Sequence, residues 1–165
     1  VSHSIELPAT ANKQEFYRDL ALQLSGLLTG ERDPVANAAN TAALLYHALP
    51  GVNWAGFYFL KEGELVLGPF QGKPACVRIA LGRGVCGTAA QARRSVVVPD
   101  VHAFPGHIAC DTASRAELVV PLVAGGALLG VLDLDSPSPG RFDEDDRAGC
   151  EVLAAIYLAA SREEI

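Results

Sequence analysis

Cys110 lies in the segment FPGHIACD, with His107 three residues before it and Asp111 directly after it. A cysteine is a strong nucleophile only as a thiolate, and a neighbouring His or Arg helps it to form. The alternative is a partly buried thiol filling a gap beside a surface histidine. Cys76 stands in GKPAC and Cys86 in GRGVCG. Such glycine-bearing stretches either let backbone approach a ligand closely or simply turn. GRGVCG lacks the Lys-Ser/Thr ending of a nucleotide-binding P-loop. The three cysteines are separated by nine and then 23 residues, with no CxxC pair, so they form no zinc motif. Whether the chain brings them together in space is left to the fold. Cys150, near the packing face of a final helix, reads as a buried thiol. Four cysteines in 165 residues are too few for a small disulfide-stapled secreted fold. They are free thiols, metal ligands or redox catalysts.

A second constellation is acidic. Asp133 and Asp135 alternate with Leu132 and Leu134, and period two puts both carboxylates on one face of a strand. Glu117 precedes the apolar stretch 118–121. These acids could form a wet sheet face or a turn cap at Ser136. They could instead form a cluster that binds an ammonium group, or in which like charges raise one pKa and make a proton donor. Trp54, the sole tryptophan, is either core or one wall of a small ligand pocket.

The elements that must carry these groups follow from periodicity. Phe16, Leu20, Leu24, Leu27 and Leu28 predict a helix over 13–28, capped by Asn12 and ended by Gly30. Asp33 and Pro34 open a second helix that runs to about 49 before Pro50-Gly51, with Val35, Ala38, Ala39, Ala42, Leu45 and Tyr46 as its face. Strands are predicted over 54–60 and 64–67, joined by a Lys61-Glu62-Gly63 turn, and over 77–81, where Val77, Ile79 and Leu81 alternate with Arg78 and Ala80. Gly82, Gly84 and Gly87 read as a loop before a short helix through Ala89, Ala90 and Ala92. A short strand covers 96–98. Residues 99–115 have no periodicity, and a long loop of this kind often forms a site. Strands over 118–123 and 127–134 meet at a Gly125-Gly126 turn. Asp143 caps a last helix whose face is read as Val152, Ile156 and Ala159, with Leu153 alongside. This order predicts one α+β domain, an antiparallel sheet covered by helices.

Whole-chain properties exclude several classes. A formal net charge of −6, from 13 Lys and Arg against 19 Asp and Glu, repels a phosphate backbone, and no basic stripe opposes it; no nucleic-acid partner is expected. No apolar run is long enough to cross a bilayer, and no basic-then-apolar signal segment opens the sequence, so no membrane association is expected. Residues 1–12 are expected to be a flexible segment and 13–163 a single folded domain.

Taken together, GVNWAGFYF, LGPFQGKPACVRIALGRGVCGTAA, VVVPDVHAFPGHIACDTASRAELVVPL and LLGVLDLDSPSPGRFDEDD strongly resemble the free methionine-(R)-sulfoxide reductases, a family built on the GAF domain. The resemblance covers nearly the whole chain, and its linked motifs in fixed order are far more specific than any one of them. It implies a GAF-like domain with helices on one side of a central antiparallel sheet. It implies thiol-dependent reduction of free L-methionine (R)-S-oxide, with Cys110 as nucleophile, Cys76 as resolving cysteine and Cys86 as an auxiliary thiol. The substrate-binding acids would be Glu117, Asp133 and Asp135, with Asp135 or Glu117 as proton donor and Trp54 in the active site. It further implies no bound cofactor and no metal, recycling by external thioredoxin, a homodimer and a cytoplasmic location. Ala116 departs from the SxSE pattern that many members carry. The rival class is a ligand-sensing GAF module without catalysis, which would not need three cysteines around one pocket.

Overall fold

The structure is a computed structural model that describes residues 4, 5, 12–108 and 110–161. The expected flexible segment 1–12 therefore lies mostly outside the described residues. Four α-helices and six strands follow one another as α1 (Lys13–Leu27), α2 (Pro34–Ala48), β1 (Trp54–Lys61), β2 (Glu64–Gly72), β3 (Arg78–Ala80), α3 (Gly84–Ala92), β4 (Val96–Val98), β5 (Ala116–Ala124), β6 (Ala127–Ser136) and α4 (Glu144–Ala160), with one 3-10 turn at Val101–Ala103. The strands form one sheet in the order β3-β2-β1-β6-β5-β4, and all five pairings are antiparallel.

Strand alternation divides the molecule. Ala55 and Phe57 of β1, Leu118, Val120 and Leu122 of β5, and Leu132 and Leu134 of β6 face α1, α2 and α4 and are fully or nearly fully buried. The residues between them, including Trp54, Tyr58, Val119 and Val131, face the other way and pack against α3 and its flanking loops. The three long helices thus cover one face, as the sequence predicts. The opposite face carries the site.

Local chemistry explains most element ends. The Asn12 carboxamide accepts from Gln14 and Glu15 N–H, and Asp33 accepts from Val35 and Ala36 N–H behind Pro34. Asp143 and Asp146 form a reciprocal capping box at α4. Asp146 is almost fully buried and also accepts from Tyr17 Oη at 2.7 Å and Lys13 Nζ at 2.7 Å, which ties α1 to α4.

Three expectations need correction. Val152 and Ala159 of α4 are exposed, and the buried face runs instead through Asp146, Gly149, Cys150, Leu153, Ala154 and Tyr157. Gly149 sets that face, because Tyr17 packs so closely that a Cβ there would overlap its ring. In α2, Val35 and Ala39 are exposed while Asn37, Thr41 and Leu44 are buried. Their helical spacing is the same, but Asn37 and Thr41 satisfy their polar groups inside, on Glu31 O and Asn37 O respectively. Finally, GRGVCG is not a loop. The helix α3 begins at Gly84, so Cys86 sits in its first turn. Gly87 lets this helix pack tightly on the preceding strand, since a Cβ would meet Ala80 O.

Candidate active site

The site is built from side-by-side positions on the sheet. Trp54 of β1 is level with Asp135 of β6, which is level with Glu117 of β5. One row further along, Gly56, Asp133 and Val119 are level. Alternation therefore delivers Trp54, Glu117, Asp133 and Asp135 to the same face, away from the helical core. Gly56 has no side chain, and the Trp54 ring occupies the space above it. Trp54 stacks between Phe70 and Tyr58, with ring centroids 5.3 and 6.0 Å away, and its indole N–H donates to Lys73 O. The Tyr58 hydroxyl donates to Cys76 O at 2.9 Å. These two bonds fix the chain that carries Cys76.

Above this floor lies a small cavity of about 50 Å³, lined by Trp54, Cys86, Cys110, Glu117, Asp133 and Asp135 among others. At its mouth Cys76 and Cys110 form a disulfide, with Cα atoms 5.5 Å apart. Cys110 is exposed and Cys76 half-buried, so the bond is open to an external reductant. The long segment after β4 is pinned at its base. Val101 N–H donates to Arg115 O, and Arg115 pairs with Asp100 at 3.0 Å. Near its tip, Ile108 packs over Gly84 at the start of α3. Its φ of +59° and the tight space above it favour glycine at that position.

The electrostatics follow from burial. Glu117 and Asp133 are 7% and 5% exposed. Desolvation, followed by the neighbouring carboxylates, holds Glu117 and Asp135 well above the usual carboxyl range. Asp133, also raised by burial, reaches only about 6 because contacts with Cys86 and Glu117 favour its charged form. The three acids titrate as one interacting cluster rather than as separate groups. Burial and the same acids push the Cys86 thiol up. Cys86 Sγ lies 3.7 Å from Glu117 Oε1. His107 Nε2 lies 4.0 Å from Glu117 Oε2, but burial lowers the imidazole pKa, so this is a polar contact rather than an ion pair near neutrality. Cys150 is fully buried beside Tyr17, far from this cavity in the α1–α4 packing.

A model of the GAF domain matches residues 33–159. The free methionine-R-sulfoxide reductase of Escherichia coli is 54% identical over 144 residues, covering 87% of each chain. Protein YtsP of Bacillus subtilis is 58% identical over 139 residues, covering 83% of this chain and 85% of the relative. The structure of free methionine-R-sulfoxide reductase from Neisseria meningitidis in complex with its substrate superposes with a TM-score of 0.92 at 46% identity, covering 97% of this chain and 96% of that one. The chain belongs to the GAF-domain family, close to the free methionine-R-sulfoxide reductases. In this GAF domain, six of the seven residues singled out from the sequence line one cavity, and the seventh, Cys76, is bonded to Cys110 at its mouth. The redox-active disulfide and the kinship together make it an oxidoreductase of the thiol-disulfide type. Sequence reasoning passed over Ser114 and Tyr58. Ser114 is buried, lines the cavity and, among the described residues, has no hydrogen-bond partner for its hydroxyl. Its position three residues before Glu117 was the available signal. Tyr58 was hidden because its tie is to a backbone carbonyl 18 residues away.

Proposed function

We propose that this GAF domain, spanning residues 13–163, reduces free L-methionine (R)-S-oxide to L-methionine and is recycled by thioredoxin. The observation that carries the reading is a Cys76–Cys110 disulfide closing a cavity floored by Glu117, Asp133 and Asp135. A free amino acid is a small zwitterion. Its ammonium suits Asp133, a buried carboxylate on the cavity floor. Its carboxylate suits the start of α3, whose first turn borders the cavity and has no side-chain cap. Its methyl end suits the Trp54 face.

The Cys110 thiolate donates an electron pair to the sulfoxide sulfur. Glu117 or Asp135, held neutral, gives a proton to the sulfoxide oxygen as the S–O bond breaks. The departing oxygen then bonds to Cys110 Sγ as the new bond between Cys110 and the methionine sulfur breaks, which leaves a sulfenic acid and free methionine. The Cys76 thiol condenses with that sulfenic acid, releasing water and forming the disulfide. The dithiol of thioredoxin then exchanges with the disulfide, and both cysteines return to thiols. Cys86 is the auxiliary thiol. The reading includes a homodimer working in the cytoplasm, where such a reductant is available. Among the described residues, no helix is long and apolar enough to cross a membrane.

Turnover of separate free methionine sulfoxide epimers, with and without thioredoxin, tests the proposal. The (R) epimer is expected to be consumed over many cycles only with thioredoxin. Cys110→Ser is expected to abolish even the first reduction. Cys76→Ser is expected to release about one methionine per chain and then stall. Absence of thiol-dependent reduction of either epimer would overturn the reading.

A further inference from the structure

Three groups on the floor of the cavity also stand together as donors for a metal ion. Cys86 Sγ and one carboxylate oxygen each from Glu117 and Asp133 lie within 4.8 Å of one another, and Cys86 Sγ is 3.7 Å from Glu117 Oε1. Around a tetrahedral zinc ion, with Zn–S near ~2.3 Å and Zn–O near ~2.0 Å, neighbouring ligand atoms stand roughly 3.5 Å apart. The three groups need to close by only about an ångström to meet that spacing. Asp133 is only 5% exposed, lines the cavity, and its Oδ1 has no hydrogen-bond partner among the described residues. An unpartnered buried oxygen is costly unless a ligand meets it. One thiol and two carboxylates are a mixed donor set that suits a borderline divalent cation better than magnesium or calcium. His107 Nε2, 4.0 Å from the second oxygen of Glu117, borders the same space as a further nitrogen donor.

We infer that Cys86, Glu117 and Asp133 form a zinc-binding site, in which the ion occupies the place of the substrate ammonium and inhibits the enzyme reversibly. On binding, the Cys86 thiol proton and any proton held by the two carboxyls leave to solvent, and no oxidation or reduction occurs. Cys86 is free while Cys76 and Cys110 are disulfide-bonded, so the oxidised protein keeps the site. The inhibitory consequence rests on the proposed reduction of methionine sulfoxide. The ion site itself does not.

Cobalt(II), an optical substitute for zinc, is titrated into the disulfide-bonded protein, whose only free thiols are Cys86 and Cys150. One equivalent per chain is expected, with a sulfur-to-cobalt charge-transfer band. Cys86→Ser should remove the band, Cys150→Ser should keep it, and Asp133→Asn should weaken binding at least tenfold. X-ray absorption at the zinc edge of the unaltered protein should find one sulfur at about 2.3 Å and the remaining ligands oxygen or nitrogen. Loss of activity with zinc should be relieved by raising methionine sulfoxide. A missing band, a band that survives Cys86→Ser, or a zinc shell without sulfur would overturn the site. Cobalt bound through Cys86 in a protein that reduces no sulfoxide would leave the site standing and refute the reaction instead.

Discussion

Asp133 illustrates how one buried acid links folding to chemistry. Burial pushes its pKa up to about 6. Between the usual carboxyl range and that value, the folded chain keeps a proton that the unfolded chain has released. This contribution to stability is complete below about pH 4 and is lost as pH rises through about 6. Asp133→Asn removes the loss. The stability of the variant relative to the parent is therefore expected to improve between pH 4.5 and pH 7.5, by on the order of 2 kcal/mol. Denaturant unfolding at the two pH values measures it, and a difference that does not change with pH would refute the assignment. Burial also raises its neighbours Glu117 and Asp135, and the charge of Asp133 adds to that rise.

At the scale of elements, β1 and β6 hold the site in register. Gly56 lies level with Asp133, and a Cβ there would overlap Phe70 and come within 2.7 Å of the Trp54 ring. Gly56→Ala is expected to cost about 1–3 kcal/mol by overpacking and to raise KM for the sulfoxide much more than it lowers kcat. Denaturation and steady-state kinetics test both parts, and an unchanged KM would mean that Trp54 is not a wall of the substrate pocket. Much of this arrangement was legible in the sequence, because DLD in an apolar strand fixes two carboxylates on one face by alternation alone. The caps at Asn12, Asp33 and Asp143 were legible for the same local reason. The start of α3 was not, since three glycines suggest a loop while close packing against Ala80 O requires one of them within the helix. The face of α4 was misplaced by one position. Its Val152 is an exposed apolar residue, whereas Asp146 is a charged residue that Tyr17, Lys13 and Arg141 satisfy inside. Contacts over such sequence distances leave no local pattern.

Across the whole molecule, the sheet separates a helical core that stabilises from a face that reacts. The Cys76–Cys110 bond closes a segment spanning 34 positions over the reactive face. Restricting the unfolded chain to that extent is worth about 3–4 kcal/mol in the loop-entropy model. The oxidised protein is therefore expected to melt roughly 10 °C above the reduced one, as read by calorimetry. Equal melting temperatures would mean that the reduced segment is held as firmly by its other contacts. The core face, by contrast, contributes no cysteine to this bond. One further consequence lies in Trp54. It is the only tryptophan in the chain, its indole N–H is bonded to Lys73 O, and its stacking partner Tyr58 is bonded to Cys76 O. The protein therefore carries a built-in fluorescent gauge connected to Cys76, so that each making and breaking of its disulfide is expected to be timed from the light of one native residue, without a dye.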